Sequence, residues 1–131
     1  MTKFSGIVFG TCLLAFLPTA AVAENPTTLS WCKAATVTGT LKKGTTQHPN
    51  GSKLVFHYIA LKQPITIAAG ECEGANLDRT TTKEVQVKED PKLIGKLVEK
   101  TVTVSGELTS PENAYDVLSV ILYPPITIKA E

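Results

Sequence analysis

The sequence predicts a small all-β barrel that contains one short helix and one disulfide. Apolar and polar residues alternate in short segments, which is the period of half-buried strands. Residues that favour turns, chiefly Asn, Gly and Pro, separate these segments. One helical signal precedes the last two long strands. Strand, strand, strand, helix, strand, strand is the order of an OB-like Greek-key barrel of five or six strands, which is the fold class we expect.

Length and charge limit the domain count and the class of partner. The chain has 131 residues and a formal net charge of +1. A stable core usually takes roughly 100 residues, so we expect a single domain, over residues 34–131, behind a loose polar leader at 24–33. Proteins that bind nucleic acid usually have a strong positive excess or a basic stripe, and this composition has neither. The sequence therefore predicts no nucleic-acid partner.

Residues 1–23 have the features of a secretory signal peptide. Lys3 gives a positive start, residues 7–17 form an apolar stretch, and Ala21-Val22-Ala23 supplies small residues for cleavage. A membrane anchor is the alternative, but spanning a bilayer takes ~20 apolar residues. We predict cleavage near Ala23 and a periplasmic or secreted mature protein without a membrane span.

Export changes how the three cysteines are interpreted. Cys12 lies inside the signal peptide, which leaves Cys32 and Cys72. An even pair in an oxidising compartment usually forms a disulfide, so we predict that these two residues are bonded. The alternative is a nucleophilic cysteine with His48 or His57 as its base, but no family-type motif surrounds either cysteine.

The first half of the domain predicts two strands joined by a turn. Residues 36–41 alternate polar with apolar or small side chains, and Gly39 on the inner side suggests a close backbone approach. Residues 42–52 are rich in turn formers and include Asn-Gly, a strong two-residue turn signal. Residues 54–61 are apolar on both faces apart from one histidine, which favours a strand covered on both sides.

The second half predicts shorter strands around the helix. Asp90 is the expected N-cap and Pro91 the first helical residue. The helix would turn Leu93, Ile94 and Leu97 towards the core. The remaining predicted strands are 65–67, 85–87, 101–108, 115–122 and 126–128.

Residues able to carry out chemistry are few and poorly spaced. The possible metal ligands are His48, His57, Glu71, Glu73 and Asp78. No pair among them has helical i, i+4 or Cys-x-x-Cys spacing. Ser105 and Ser119 lack the Gly-x-Ser-x-Gly context of a nucleophile. We therefore expect no enzyme activity, no metal and no cofactor.

A series of short motifs gives the chain a family resemblance. In order they are VTGTL (37–41), YIALKQPI (58–65), VQV (85–87), LIGK (93–96), VTVSGEL (102–108) and DVLSV (116–120). Together they resemble an uncharacterised bacterial periplasmic domain family with an OB-like β-barrel, whose members sometimes follow a lysozyme-inhibitor-like domain. That family usually has two histidines just before the last motif, where this chain has Ala114-Tyr115. The resemblance therefore implies fold and compartment, without a metal or acid–base site.

The remaining indication of function is recognition by shape. Loops at 43–52, 70–80 and 109–115 could cluster at one end of a rigid barrel, where binding surfaces usually lie. Histidine, asparagine and tyrosine in such loops supply adaptable hydrogen bonds and anchors. The predicted partner-binding residues are His48, Asn50, Tyr58 and Tyr115.

These observations predict a non-enzymatic binding module of the cell envelope. The first hypothesis is an inhibitor or immunity-type protein whose loop enters the cleft of a partner such as a cell-wall hydrolase. The alternative is an OB-like barrel that binds a small ligand or glycan on the face around Phe56, Tyr58 and Tyr123.

Overall fold

The computed structural model describes residues 28–131. The predicted signal peptide at 1–23, its Cys12 and the first part of the predicted leader, 24–27, lie outside the described residues. None of the helices between Thr28 and Glu131 combines the length and the apolar character needed to cross a membrane.

Strands make up most of the described chain. The strands are β1 (Thr28–Ser30), β2 (Ala34–Gln47), β3 (Lys53–Ala68), β4 (Gly70–Cys72), β5 (Ala75–Leu77), β6 (Thr80–Val87), β7 (Thr101–Thr109) and β8 (Ile121–Ala130). Between β6 and β7 lie helix α1 (Pro91–Ile94) and a 3₁₀ turn (Gly95–Leu97).

Five of these strands close in a ring. β2 pairs with β3 and β7, β3 with β6, and β7 with β8, all antiparallel, while β6 and β8 close the ring in parallel. β1 adds to β3 as a sixth strand. This strand order, with the helix before the last two strands, confirms the predicted OB-like Greek-key fold.

The core lies inside the ring and follows the alternation in the sequence. In β2 as far as Leu41, and in β7 as far as Leu108, every second residue is buried. VTGTL at 37–41 in β2 and VSGEL at 104–108 in β7 are similar in sequence, and Val37 lies opposite Val104 on the neighbouring strand. On the outer face the hydroxyls of Thr38 and Thr103 hydrogen-bond at 3.0 Å. The two segments are therefore similar because both belong to neighbouring strands that bury one face in the core and expose the other.

The helix begins where the sequence predicts, but it buries fewer side chains than predicted. The Asp90 carboxylate accepts a hydrogen bond from the Lys92 N–H, and Pro91 is the first helical residue. Ile94 is buried and Leu97 half-buried, but Leu93 is 65% exposed. The expectation that Leu93 faces the core is wrong, because four helical residues present too narrow a face to bury two adjacent side chains.

Three sequence-based strand boundaries differ from the structure. Residues 28–30, expected in a loose leader, form β1 with Thr28 opposite Thr66. β3 runs on through Pro64 as one strand, with an irregularity in its pairing with β6 between Ala60 and Ile65. Most of the predicted loop at 42–52 is strand, because β2 and β3 stay paired as far as the turn.

The predicted last long strand, 115–122, is wrong at its first six residues. Residues 115–120 form a loop and the strand begins at Ile121. The physical reason is that side chains satisfy the loop backbone: the Gln86 amide oxygen accepts hydrogen bonds from the N–H groups of Val117 and Leu118. Backbone groups paired in this way do not need a neighbouring strand.

The disulfide between Cys32 and Cys72 is confirmed. Their Cα atoms are 5.5 Å apart and 40 residues separate them in the sequence. The bridge joins the end of the segment after β1 to the small β4–β5 hairpin. Trp31, in the same core cluster, donates a hydrogen bond from Nε1 to the Asp78 carbonyl oxygen at 3.2 Å. These contacts attach the segment after β1 to the hairpin.

Candidate functional site

β2 and β3 continue beyond the ring as a two-stranded arm. Pairing of β2 with β7 ends at Thr40, and pairing of β3 with β6 ends at His57. β2 and β3 remain paired with each other as far as Gln47 and Lys53. Within the described chain, strand residues 44–47 and 53–56 therefore pair only with each other, and Lys42 and Lys43 pair only with Tyr58 and His57. We call residues 42–56 the arm.

The tip of the arm is held in one conformation by its own hydrogen bonds. The His48 N–H donates to the Ser52 carbonyl oxygen, and the Gly51 N–H donates to the His48 carbonyl oxygen, both at 2.8 Å. The Asn50 amide oxygen accepts from the N–H of Ser52 at 2.9 Å. Gly51 has φ of +90°, a backbone conformation that glycine adopts without strain. The tip is therefore organised before any partner arrives.

The loop between β7 and β8 is held by a buried carboxylate. Oδ2 of Asp116 accepts hydrogen bonds from the Glu112 N–H at 2.7 Å and the Tyr123 hydroxyl at 2.9 Å. Its other oxygen, Oδ1, lies 2.7 Å from Lys88 Nζ. The Asp116 side chain is fully buried, so this set of contacts takes the place of water around the charge.

The same contacts shift the pKa values of Asp116 and Tyr123. Burial opposes ionisation of Asp116, but the hydrogen bonds from Lys88, the Glu112 N–H and Tyr123 outweigh it and hold the pKa of the carboxyl below its ordinary value. Burial and the hydrogen bond to Asp116 raise the pKa of Tyr123 to about 12. Asp116 is thus ionised and Tyr123 protonated at neutral pH.

Gln86 on β6 provides a second attachment for this loop. Its side chain donates from Nε2 to the Tyr115 carbonyl oxygen at 2.9 Å, and its Oε1 accepts from the Val117 N–H at 2.7 Å. Gln86 is only 2% exposed because the loop covers it. The loop therefore lies against the outer face of β6 in a defined position.

The tip of the arm and the β7–β8 loop meet at an aromatic contact. The rings of His48 and Tyr115 have centroids 5.0 Å apart and an interplanar angle of 45°. Tyr115 is 56% exposed and His48 is half-buried. Two preorganised loops from distant parts of the sequence thus form one surface, which we call the tip surface: residues 48–52 and Tyr115.

Three of the four predicted partner-binding residues lie together on this surface. His48 and Asn50 are in the tip, and Tyr115 packs against it. Tyr58 lies elsewhere, on β3 opposite Gln86, where its half-buried ring is 5.6 Å from that of Phe56.

Of the three loops predicted to cluster, only two lie close together: 43–52 and 109–115. The tip of the arm adjoins the N-terminal end of β3, whereas the β4–β5 hairpin follows the C-terminal end, where Ile67 pairs with Thr80. Because β3 is 16 residues long, the disulfide-bonded hairpin lies far from the tip surface.

A cleft of about 220 Å³ opens beside the arm. Residues 54–57 of β3 form one wall, and residues 86–89 with Pro91 and Tyr115 form the other. His57 is buried at its inner end, and burial together with the nearby Lys43 charge lowers the pKa of its imidazole. The cleft is therefore bordered by neutral and apolar groups on the β3 side.

Sequence reasoning missed the residues that hold the site in place. Lys88, Asp116 and Gln86 make its key polar contacts, yet each looks like an ordinary surface residue in the sequence. The sequence predicts a strand over 85–87 in which Gln86 lies between two valines, and only the fold shows that a loop covers the Gln86 side chain. Their role depends on contacts 28 to 32 residues apart, which no local pattern encodes.

The chemistry available at the site is limited. Both candidate nucleophilic thiols are joined in the disulfide. Over residues 28–131, no three His, Cys, Asp or Glu side chains come together as a possible metal site. Neither a protein-family model nor a curated protein matches the chain, so the resemblance to the periplasmic OB-like family stays a prediction.

Proposed function

We propose that this protein is a non-enzymatic, exported binding module of the cell envelope that inhibits or neutralises a protein partner, such as a cell-wall hydrolase, through the tip surface. The observation that carries the proposal is the contact between His48 and Tyr115, which joins two internally hydrogen-bonded loops into one exposed surface. A surface of this kind is suited to recognition by shape.

Preorganisation supports binding to a protein. A loop that is already ordered loses little conformational entropy when it binds, so more of the contact energy contributes to affinity. The tip is ordered by hydrogen bonds of its own, and Gln86 and Asp116 order the loop that carries Tyr115. An exposed tyrosine in such a setting is a typical anchor at interfaces.

The compartment and the partner class come from the sequence. The predicted signal peptide directs the chain out of the cytoplasm, and the Cys32–Cys72 disulfide suits an oxidising compartment. The family resemblance, whose members sometimes follow a lysozyme-inhibitor-like domain, favours a hydrolase of the cell wall as partner.

Binding of a small ligand or glycan has weaker support. The cleft of about 220 Å³ is smaller than the ~300–1,000 Å³ usual for ligand pockets. Of the three aromatic residues proposed for a ligand face, Phe56 packs over Gly44, and Tyr123 uses its hydroxyl on Asp116. These side chains already have structural partners.

Inhibition of lysozyme-type hydrolases, and capture of a partner from envelope extract, test the proposal. Tyr115→Ala should weaken binding about tenfold or more, since central aromatic anchors usually contribute at least that much. Asn76→Ala, at an exposed site on the distant β4–β5 hairpin, is the control and should bind normally. If no hydrolase is inhibited and no envelope protein is captured, the proposed function is wrong; equal binding by both variants would reject the tip surface.

A further inference from the structure

The two free edges of the arm differ in character. On β2 the unpaired edge carries Lys42 and Lys43, followed by glycine and polar residues. On β3 the corresponding edge has a single lysine, Lys53, at its tip end and continues as Leu54-Val55-Phe56, which contains no charge and no proline. Exposed strand edges are usually protected by lysine, proline or a bulge, because their unpaired N–H and C=O groups pair readily with another chain. The arm protects one edge and leaves the other open.

The open edge runs along the cleft. Leu54, Val55 and Phe56 line one wall, and Tyr115 lines the other. Val55 is 42% exposed and Tyr115 56%, and among the described residues the one other large hydrophobic side chain with comparable exposure is Leu93. Leu93 lines the adjacent groove, which shares Glu89 with this cleft. Exposed apolar side chains are thus concentrated around the open edge, as at binding sites.

The charge around the edge is positive. Residues 42–56 of the arm contain three lysines and no acidic residue. Lys42 is paired with Glu99, but Lys43 and Lys53 form no ion pair with any described residue. Glu89, the carboxylate in the cleft wall, accepts a hydrogen bond from the Asp90 N–H. An occupant of the edge would therefore gain from carrying negative charge near Lys53.

We propose that the open edge of β3, residues 53–56, receives an extended acidic segment of the partner protein as an added strand. The proposal rests on the proposed function and specifies how the partner is held. The backbone of the segment pairs with Leu54-Val55-Phe56 at the usual spacing of ~4.8 Å. One of its apolar side chains enters the cleft against Tyr115, and an acidic side chain lies near Lys53.

A synthetic peptide in which glutamate and valine alternate is the probe. We expect it to bind the purified chain and to slow amide hydrogen exchange at residues 54–56, because added-strand pairing protects these groups. Two control peptides separate the contributions: an N-methylated version cannot pair through its backbone, and a lysine–valine version reverses the charge. Each should bind at least tenfold more weakly. Equal binding of the N-methylated peptide, or no binding of the glutamate–valine peptide, would overturn the proposal.

Substitutions at two directly opposed residues test whether the peptide binds at the open edge of β3. Val55 and Thr45 face each other across the arm, one on each edge. Val55→Lys replaces the central apolar side chain of the open edge with lysine, which protects strand edges. We expect the loss of strand pairing to outweigh the attraction between the added ammonium group and the glutamates, so peptide affinity should fall at least tenfold. Thr45→Lys adds the same charge to the same arm on the other edge and should leave affinity within about twofold. Equal loss in both variants would show that the effect does not depend on which edge carries the substitution and would refute edge pairing.

Two further outcomes distinguish this proposal from its alternatives. If Val55→Lys retains full hydrolase inhibition while Tyr115→Ala loses it, the proposed function stands and the added strand is wrong. A second copy of the chain is the other candidate occupant. Sedimentation that shows a concentration-dependent dimer abolished by Val55→Lys would assign the edge to self-association and overturn the proposal, whereas a monomer that binds the peptide supports it.

Discussion

The ammonium group of Lys88 lies 2.7 Å from the carboxylate of Asp116, whose side chain is fully buried. Lys88 directly follows β6, Asp116 lies in the β7–β8 loop, and Tyr123 on β8 donates its hydroxyl to the same carboxylate. One buried charge thus connects two ring strands to the loop that presents Tyr115. The geometry of the tip surface depends on it.

Replacing this carboxylate by its amide should destabilise the fold and loosen the loop. Asp116→Asn keeps the shape but removes the charge that compensates Lys88 and weakens the hydrogen bonds from Glu112 and Tyr123. Removing one partner of a buried pair typically costs about 3–5 kcal/mol, and because Lys88 can turn partly to solvent we expect about 2–4 kcal/mol here. Urea unfolding of the variant and the parent measures the difference.

The matched control is Glu112→Gln, the same change four residues earlier in the same loop. The Glu112 side chain is exposed, and its contribution to the network is its backbone N–H, which the substitution leaves in place. We expect a change within about 0.5 kcal/mol, as for ordinary surface substitutions. Comparable losses in the two variants would mean that the Asp116 network does not hold the loop.

Stability should depend on pH through His57. Burial, with a smaller contribution from Lys43, lowers the pKa of this imidazole below its ordinary value of 6.5. The unfolded chain therefore binds more protons than the folded chain as the pH falls below 6.5. The contribution of neutral His57 is complete above pH 6.5 and is lost as the pH falls towards the folded pKa. For one proton the slope is at most about 1.4 kcal/mol per pH unit.

Two variants identify the source of this slope. His57→Gln removes the titrating group and should flatten the stability profile between about pH 7 and pH 5. Lys43→Gln removes the nearby charge, which lowers the pKa of His57 less than burial does, so it should reduce the slope only in part. Asp116 does not interfere, because its pKa lies below 3.8 and its own loss of stability begins at lower pH. A slope that persists in His57→Gln would assign the pH dependence to another group.

The sequence predicts much of the fold because local signals agree with the burial pattern. Alternation in 36–41 and 101–108 reproduces the buried sides of β2 and β7, and Asp90-Pro91 marks the start of α1. The prediction of a strand at 115–120 is wrong because this segment is largely apolar in sequence but is held as a loop by the side chain of the distant residue Gln86. Period-2 patterns report burial and contain no information on whether the backbone pairs with a strand or with a side chain.

The candidate site is predicted only in part for the same reason. The sequence predicts His48, Asn50 and Tyr115 as binding residues because they lie in loops, and the fold brings them together. Their contact depends on how far β2 and β3 extend beyond the ring, which follows from where pairing with β7 and β6 stops. Such long-range pairing has no local signature, so both the arm and its open edge are visible only in the structure.

Loss of the disulfide should lower stability without creating activity. The Cys32–Cys72 bond closes a loop of 40 residues, and chain entropy then gives about 4 kcal/mol. We expect Cys72→Ser to lower the free energy of unfolding by about 2–5 kcal/mol. The control is the double variant Cys32→Ser/Cys72→Ser, which lacks the free thiol and should lose a similar amount. Identical melting of the oxidised and reduced parent protein would contradict this prediction.

Two Gly→Ala substitutions should have opposite effects on stability. A methyl group at Gly39 would collide with the carbonyl oxygen of Ala60 on the neighbouring strand, and backbone cannot move aside as a flexible side chain can. Overpacking of this kind typically costs about 1–3 kcal/mol, and we expect Gly39→Ala to reach at least that range.

Gly95 supplies the matched comparison. It has right-handed helical backbone angles, with φ of −57°, and a methyl group there would meet no atom within 4 Å. Gly95→Ala reduces the entropy of the unfolded chain without strain, so it should raise stability by about 0.4–1 kcal/mol. Thermal unfolding of the two variants should therefore shift the midpoint in opposite directions. A Gly39→Ala protein as stable as the parent would show that β2 and β3 do not approach each other as closely as this barrel requires.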